Sequence, residues 1–396
     1  MVKARSTIGN RSKAAALCEK AASSSFYHES CGLPAHLYDY LSGLFAFFEL
    51  NIRRFLLSRT SLRLVLLLSF SFMLCACQHE PDFPSTVDRN LYRRPREVPF
   101  RLAKYAAPEN VERLVETGRK LFFDPRLSGS GLMSCATCHN PAFHWTDSLK
   151  SSIENQSRRT MSLYDVGWDK AFLWNGTIGT LSAQVAFPIT APTGMNADPR
   201  AVAAKLEKIP GYRDELRAIM KGVVRDPETI SSASIFAPLE FFVASIRSPE
   251  APFDRWVEGD TQALTASQKA GFVLFTGKAR CSECHAGWRF SDGNMYDIGL
   301  KVDNKEGLAK TPSIAFTKAV GLRNIADRPP YTHRGDIETL EEMVEFYNRG
   351  GDEERPGKSD KIGRLNLTDN EKRQLVDFLR SLSGPVEPYP IPSLPR

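Results

Sequence analysis

The sequence predicts a mainly α-helical protein built from two similar halves, and three observations support this. Apolar residues recur at helical spacing in several segments, strand patterns are weak throughout, and a Cys-x-x-Cys-His motif occurs once in each half. Of the 396 residues, 42% are apolar and 25% are charged, which is typical of a folded globular chain. The net charge of +6 is mild and the basic residues are scattered, so no nucleic acid partner is expected.

The N-terminal quarter is predicted to be an export signal rather than part of the fold. Arginines between positions 53 and 63 precede the apolar run 64–74, a pattern typical of a secretory signal and short for a spanning helix. The run ends in Leu74-Cys-Ala-Cys77, which resembles a bacterial lipobox. We therefore expect a periplasmic protein whose only membrane attachment is a lipid on Cys77. Signal cleavage nearby without a lipid, or an uncleaved anchor, are the alternatives.

Helical periodicity organises the rest of the chain. Capping boxes begin at Thr265, Thr339 and Thr368. Helices are predicted at 114–123, 199–220, 230–246, 267–275, 339–347 and 369–382. The predicted organisation is an N-terminal extension from a start codon assigned too early (1–52), a signal peptide with lipobox (53–77), a polar, Pro-rich tether (78–99), an N-terminal domain (100–262) and a C-terminal domain (263–396).

The two motifs read Cys135-Ala-Thr-Cys138-His139 and Cys281-Ser-Glu-Cys284-His285. This spacing is typical of covalent haem attachment, in which two thiols add to the vinyl groups and the adjacent imidazole binds the iron. A zinc knuckle or a redox-active Cys pair fits less well, because export supplies the compartment for c-type haem and a His completes each motif. The sequence thus predicts two covalently bound haem c groups, one in each of two cytochrome-c-like domains.

Further stretches around these motifs resemble the bacterial di-haem cytochrome c peroxidase family, which includes MauG-type enzymes. The resemblance is carried by residues 118–128, 172–176, 248–255, 322–324, 330–335 and 339–347. It implies that the N-terminal haem meets hydrogen peroxide and that the C-terminal haem passes electrons. It also implies that Trp174 lies between the haems as an electron relay, although a buried Trp can simply be part of a core.

The resemblance places the second axial ligand of the C-terminal haem at Tyr347. Peroxidases of the family carry Met at this position, whereas MauG-type members carry Tyr. Met343, one helical turn earlier, is the alternative ligand, and it is also open that neither residue binds. A tyrosinate would favour oxidised iron and lower its potential.

The N-terminal haem is expected to be five-coordinate or water-bound, because the loop 147–159 contains no His. His144 is expected either to be a surface residue or to contact the residues that bind the iron of the N-terminal haem without binding it itself. His333 matches a family motif beside the second haem, or it is a structural hydrogen-bonding His.

Three positions depart from the family pattern. Gly194 stands where a Glu moves protons, and Ala279 stands where MauG-type enzymes have a Trp that passes oxidising equivalents to a partner protein. Arg159 occupies the position of an Asn associated with the calcium between the domains, so calcium is doubtful.

The leading functional prediction is a cytochrome c peroxidase that reduces hydrogen peroxide to water with electrons from a small exported cytochrome c or cupredoxin. The first alternative is a MauG-like enzyme that oxidises Trp or Tyr residues of a partner protein; Tyr347 favours it and Ala279 opposes it. The second alternative is a non-enzymatic di-haem electron carrier, which Gly194 favours.

Overall fold

The computed structural model describes residues 83–96, 108–152, 158–221, 223–224, 226–301 and 316–396. The mainly helical fold is confirmed. The predicted extension, signal peptide and lipobox, including Cys77, lie outside the described residues. Within the described part of the chain, no helix is both long and apolar enough to span a bilayer.

Ten α-helices lie in the described ranges, joined by short 3-10 turns and loops. They are α1 Pro108–Phe123, α2 Cys135–Cys138, α3 Leu181–Thr190, α4 Pro199–Glu207, α5 Pro210–Met220, α6 Ser232–Ser245, α7 Pro252–Val257, α8 Ala266–Thr276, α9 Leu340–Asn348 and α10 Asp369–Arg380. Strand β1 (Met295–Asp297) pairs antiparallel with β2 (Phe316–Lys318), with Tyr296 opposite Thr317.

The helix termini follow local sequence signals. Capping boxes start α8 at Thr265, α9 at Thr339 and α10 at Thr368, as predicted. The single helix predicted over 199–220 is wrong, because Pro210 begins a separate helix there. Proline has no N–H for a helical hydrogen bond and its ring disfavours a helical residue before it, so α4 and α5 are distinct.

Two hydrophobic cores lie one after the other along the sequence. The first is formed by buried side chains between Leu114 and Ile246, and the second by residues 253–382 together with Phe83 and Tyr92. Residues 253–257 already belong to the second core, so this core begins before the predicted domain boundary at residue 262. The prediction of a tether over 78–99 is wrong at Phe83 and Tyr92, because their rings pack 5.3 and 5.2 Å from the ring of Phe272.

Each core contains a pair of helices that cross at a glycine. A Cβ built on Gly118 of α1 would lie 1.9 Å from the carbonyl oxygen of Pro238 in α6. A Cβ built on Gly271 of α8 would lie 2.0 Å from the carbonyl oxygen of Gln374 in α10. Four residues after each glycine, a Phe is buried between the same two helices. The two halves thus repeat one packing scheme.

Gly118→Ala should lower the Tm of the holoprotein by roughly 5–10 °C, because the added methyl forces α1 and α6 apart and overpacking of this kind costs about 1–3 kcal/mol or more. Calorimetry on the purified protein measures this. Gly179→Ala is the matched control, because nothing lies within 4 Å of its Cβ position. Equal Tm values for the two variants would contradict the close crossing.

Candidate active site

The first Cys-x-x-Cys-His motif forms a single helical turn. Cys135–Cys138 is α2, and the His139 amide donates to the Cys135 carbonyl at 2.9 Å. The His139 ring lies with Nδ1 3.1 Å from the Trp145 carbonyl oxygen. Burial lowers the pKa of His139, which keeps the ring neutral at pH 7. A neutral imidazole with one nitrogen held by a carbonyl leaves the other nitrogen, Nε2, to bind iron.

A cavity lies over this motif. Its walls are mostly apolar, with Phe122, Leu181, Leu239 and Val243 among them. Apart from His139, none of the described side chains that line it is a Lys, Arg, His, Tyr, Asp or Glu. Its other polar side chains are few, Ser134 and Gln184 among them.

Gln184 and Met195, from α3 and the loop that follows it, line the first cavity. The Oε1 atom of Gln184 is buried and accepts no hydrogen bond from any described group. Met195 is 4% exposed, and its amide donates to the Pro188 carbonyl at 2.8 Å. A buried amide oxygen without a partner is costly, so this cavity is suited to a polar guest.

The second motif has the same local design. Residues Cys281–Glu283 form a 3-10 turn, and the His285 amide donates to the Cys281 carbonyl at 2.9 Å. The Nδ1 atom of His285 lies 2.8 Å from the Phe290 carbonyl oxygen, and burial lowers the pKa of the ring. Both His residues therefore have the orientation and protonation state that iron binding requires.

A larger cavity brings the second motif together with α9. Tyr347, in the last turn of α9, lines it with Cys281, Cys284 and His285. Burial, and then the two neighbouring sulfurs, raise the pKa of the Tyr347 phenol. Met343 lines the same cavity one turn earlier. The structure thus places both predicted ligand candidates beside the motif, and the choice of Tyr347 stays a prediction.

The same cavity reaches Trp174, which comes from the first half of the chain. Its indole Nε1 donates to the Arg159 carbonyl at 2.8 Å, and its own carbonyl accepts from the Lys318 amide at 2.9 Å. Its ring centroid lies 6.2 Å from that of His333. Trp174 is thus fixed at three points beside the second motif, as a relay would need to be.

The other residues singled out in the sequence, His333, His144 and Ala279, differ in their surroundings. Burial, with Arg334 and Arg158, lowers the pKa of His333 to about 4, and its buried Nδ1 has no hydrogen-bond partner among the described groups. A structural hydrogen bond is therefore not made by that nitrogen. His144 is half-buried, packs edge-on against Tyr164, and does not line the first cavity. Ala279 is buried and lines the second cavity.

The donor sets fit haem c in both places. Each cavity offers two thiols one turn apart and a neutral imidazole, and its other walls are largely apolar. Bound haem would supply redox chemistry at iron. Cys135, Cys138 and His139 would hold one group, and Cys281, Cys284 and His285 the other.

Comparison with known proteins identifies the family of this chain. A family model described as di-haem cytochrome c peroxidase matches residues 112–262. The methylamine utilization protein MauG of Methylorubrum extorquens is 40% identical over 315 residues, covering 77% of this chain and 86% of that protein. The chain belongs to the di-haem cytochrome c peroxidase and MauG family.

Other members of this family are similar over most of the chain. The cytochrome c551 peroxidase of Pseudomonas aeruginosa is 29% identical, covering 76% of this chain and 87% of that protein. A crystal structure of a MauG-like protein associated with microbial copper homeostasis has a TM-score of 0.61 and 28% identity, and it covers 77% of this chain and 95% of that one. The relatives of this chain are therefore di-haem oxidoreductases of two kinds, MauG proteins and cytochrome c peroxidases.

Sequence reasoning missed Gln184 as a residue of the first cavity. The signal was present, because Gln184 lies one helical turn before Pro188 and both line that cavity. Only the tertiary structure, in which α3 and the first motif line the same cavity, shows that this turn faces inward.

Proposed function

We propose that this chain is a di-haem c-type peroxidase that reduces hydrogen peroxide to water. The reaction takes up two electrons and two protons per peroxide and releases two waters. The electrons would come from a small exported cytochrome c or cupredoxin, and the predicted signal and lipobox support a periplasmic enzyme anchored through Cys77. The observation that carries the proposal is the first cavity, whose described lining holds His139 and no second His, Lys or Tyr.

The side chains of the chain divide the work between the two cavities. In the first, the Gln184 amide would hydrogen-bond peroxide, and the apolar walls would exclude bulk water. In the second, His285 would hold the electron-transfer group, and Tyr347, which lines the same cavity, would tune it. Trp174 would carry electrons from the second cavity towards the first, since its indole is held rigidly and its π-system can hold a transient radical.

A MauG-like oxidation of Trp or Tyr residues in a partner protein is the second candidate. The 40% identity to a MauG protein and the position of Tyr347 favour it. Ala279 disfavours it, because a buried methyl group cannot pass an electron hole to a partner.

Trp174→Phe should lower steady-state peroxide turnover, with a reduced c-type cytochrome as donor, by about tenfold or more. The oxidised variant should still react with peroxide at the wild-type rate in stopped-flow absorption, because the first cavity is unchanged. Trp168→Phe is the control, since Trp168 packs on Trp288 and does not line either cavity.

Two results would contradict the proposal. One is a wild-type enzyme that consumes no peroxide in either the oxidised or the half-reduced state. Reaction only after half-reduction would instead show that a ligand closes the first cavity at rest. Faster binding in Met195→Leu would then identify Met195 as a displaced sixth ligand. The other is peroxide consumption only when a partner protein becomes oxidised, which would establish the MauG-like alternative.

A further inference from the structure

Arg159 lies at the position where the family resemblance expects a residue associated with calcium. Its side chain is 9% exposed and lines the second cavity together with Trp174 and His333. It forms no ion pair with a carboxylate in the part of the chain that the structure describes. A buried arginine without such a partner needs other compensation, because burial alone disfavours its charge.

Backbone carbonyl groups supply that compensation. The Nη2 atom of Arg159 donates to the Arg328 carbonyl at 3.2 Å, and Nε donates to the Leu149 carbonyl at 3.3 Å. Carbonyl oxygens from two separate loops thus converge on one cationic group. Backbone carbonyl oxygens are also among the ligands of a hard metal ion such as calcium, and here two of them bind a guanidinium instead.

The backbone of Arg159 extends this junction to the relay candidate. Its amide donates to the His333 carbonyl at 2.9 Å, and its carbonyl accepts from the Trp174 indole at 2.8 Å. Side chain and backbone together therefore join the loops that carry Leu149, Arg328, His333 and Trp174.

Calcium itself does not fit here. It takes six to eight oxygen ligands, usually with carboxylates among them, and the described residues contain no cluster of three or more His, Cys, Asp or Glu side chains suited to a metal. Asp147, a carboxylate whose charge acts on Arg159, accepts a hydrogen bond from Thr160 Oγ1 at 2.6 Å. The buried Arg328 adds a second positive charge, and its guanidinium donates to the carbonyls of Asn324, Gly321 and Arg323.

We propose that the Arg159 guanidinium replaces the divalent cation at this junction and acts as a positioning residue for Trp174. The Arg159 side chain, a cation that is part of the chain itself, would thereby hold together the loops that carry Leu149, Arg328, His333 and Trp174. No calcium would be needed. The guanidinium is held in place whatever the calcium concentration, whereas a bound ion can be lost.

The first test uses the wild-type holoprotein. After dialysis against calcium-free buffer, its metal content should be well below one calcium per chain. Its Tm and its low-spin haem EPR signal should be unchanged by EGTA or by added CaCl2. One calcium per chain, with a spectrum altered by EGTA, would overturn the proposal.

The second test removes the charge at nearly constant length. Arg159→Met should lower the Tm by about 5 °C and shift the haem EPR signal, and Arg159→Lys should restore most of both. Arg213→Met is the control, because Arg213 pairs with Asp214 at the surface. An Arg159→Met holoprotein with wild-type Tm and spectrum would overturn the proposal. These readouts need neither peroxide nor a donor, so their failure is distinct from failure of the proposed function.

Discussion

Tyr347→Phe is expected to remove the second axial ligand of the C-terminal haem. The low-spin EPR signal assigned to that haem should be lost and a high-spin signal should appear, because Phe offers no donor atom. The reduction potential of the same haem should rise by about 0.1 V or more, since an anionic oxygen ligand stabilises the oxidised iron. EPR and spectroelectrochemistry of the holoprotein measure both changes.

The control for this experiment is Met343→Leu. Met343 lines the same cavity one turn before Tyr347, and a Leu of similar volume preserves the packing while removing the sulfur. We expect wild-type spectra from this variant. The opposite pattern, with Tyr347→Phe unchanged and Met343→Leu altered, would assign the ligand to Met343.

Gly194→Glu is expected to raise the peroxidase kcat by roughly 10- to 100-fold, because the first cavity lacks a general acid and base for O–O cleavage and such a group typically contributes about 10²–10⁴-fold. Gly194 directly precedes Met195, which lines that cavity. Its backbone lies outside the left-handed region, so a side chain there brings no conformational strain. Steady-state assays with saturating donor measure kcat.

Gly194→Gln separates proton transfer from polarity in this experiment. Gln has nearly the same shape as Glu but cannot exchange a proton, so it should leave kcat close to the wild-type value. A gain in both variants would show that a polar side chain is sufficient. No gain in Gly194→Glu would indicate that another group already moves the proton.

The local features of the fold were predictable because short-range physics sets them. Capping boxes at Thr265, Thr339 and Thr368 start helices regardless of what packs against them. The Cys-x-x-Cys-His spacing likewise forms one turn in both halves, since each His amide bonds to the carbonyl of the first Cys. By contrast, the tether prediction failed at Phe83 and Tyr92, because composition does not reveal a core contributed by distant residues.

What the sequence by itself determined is the spacing of two Cys-x-x-Cys-His motifs, a mainly helical fold and membership of one family. Those properties depend on residue type and spacing within a few positions. Only the tertiary structure decided that Gln184 faces the first cavity, that Trp174 from the first half lines the second, and that Arg159 joins their loops. These depend on contacts between residues far apart in the chain, and such contacts are set by the packing of whole helices rather than by any local pattern.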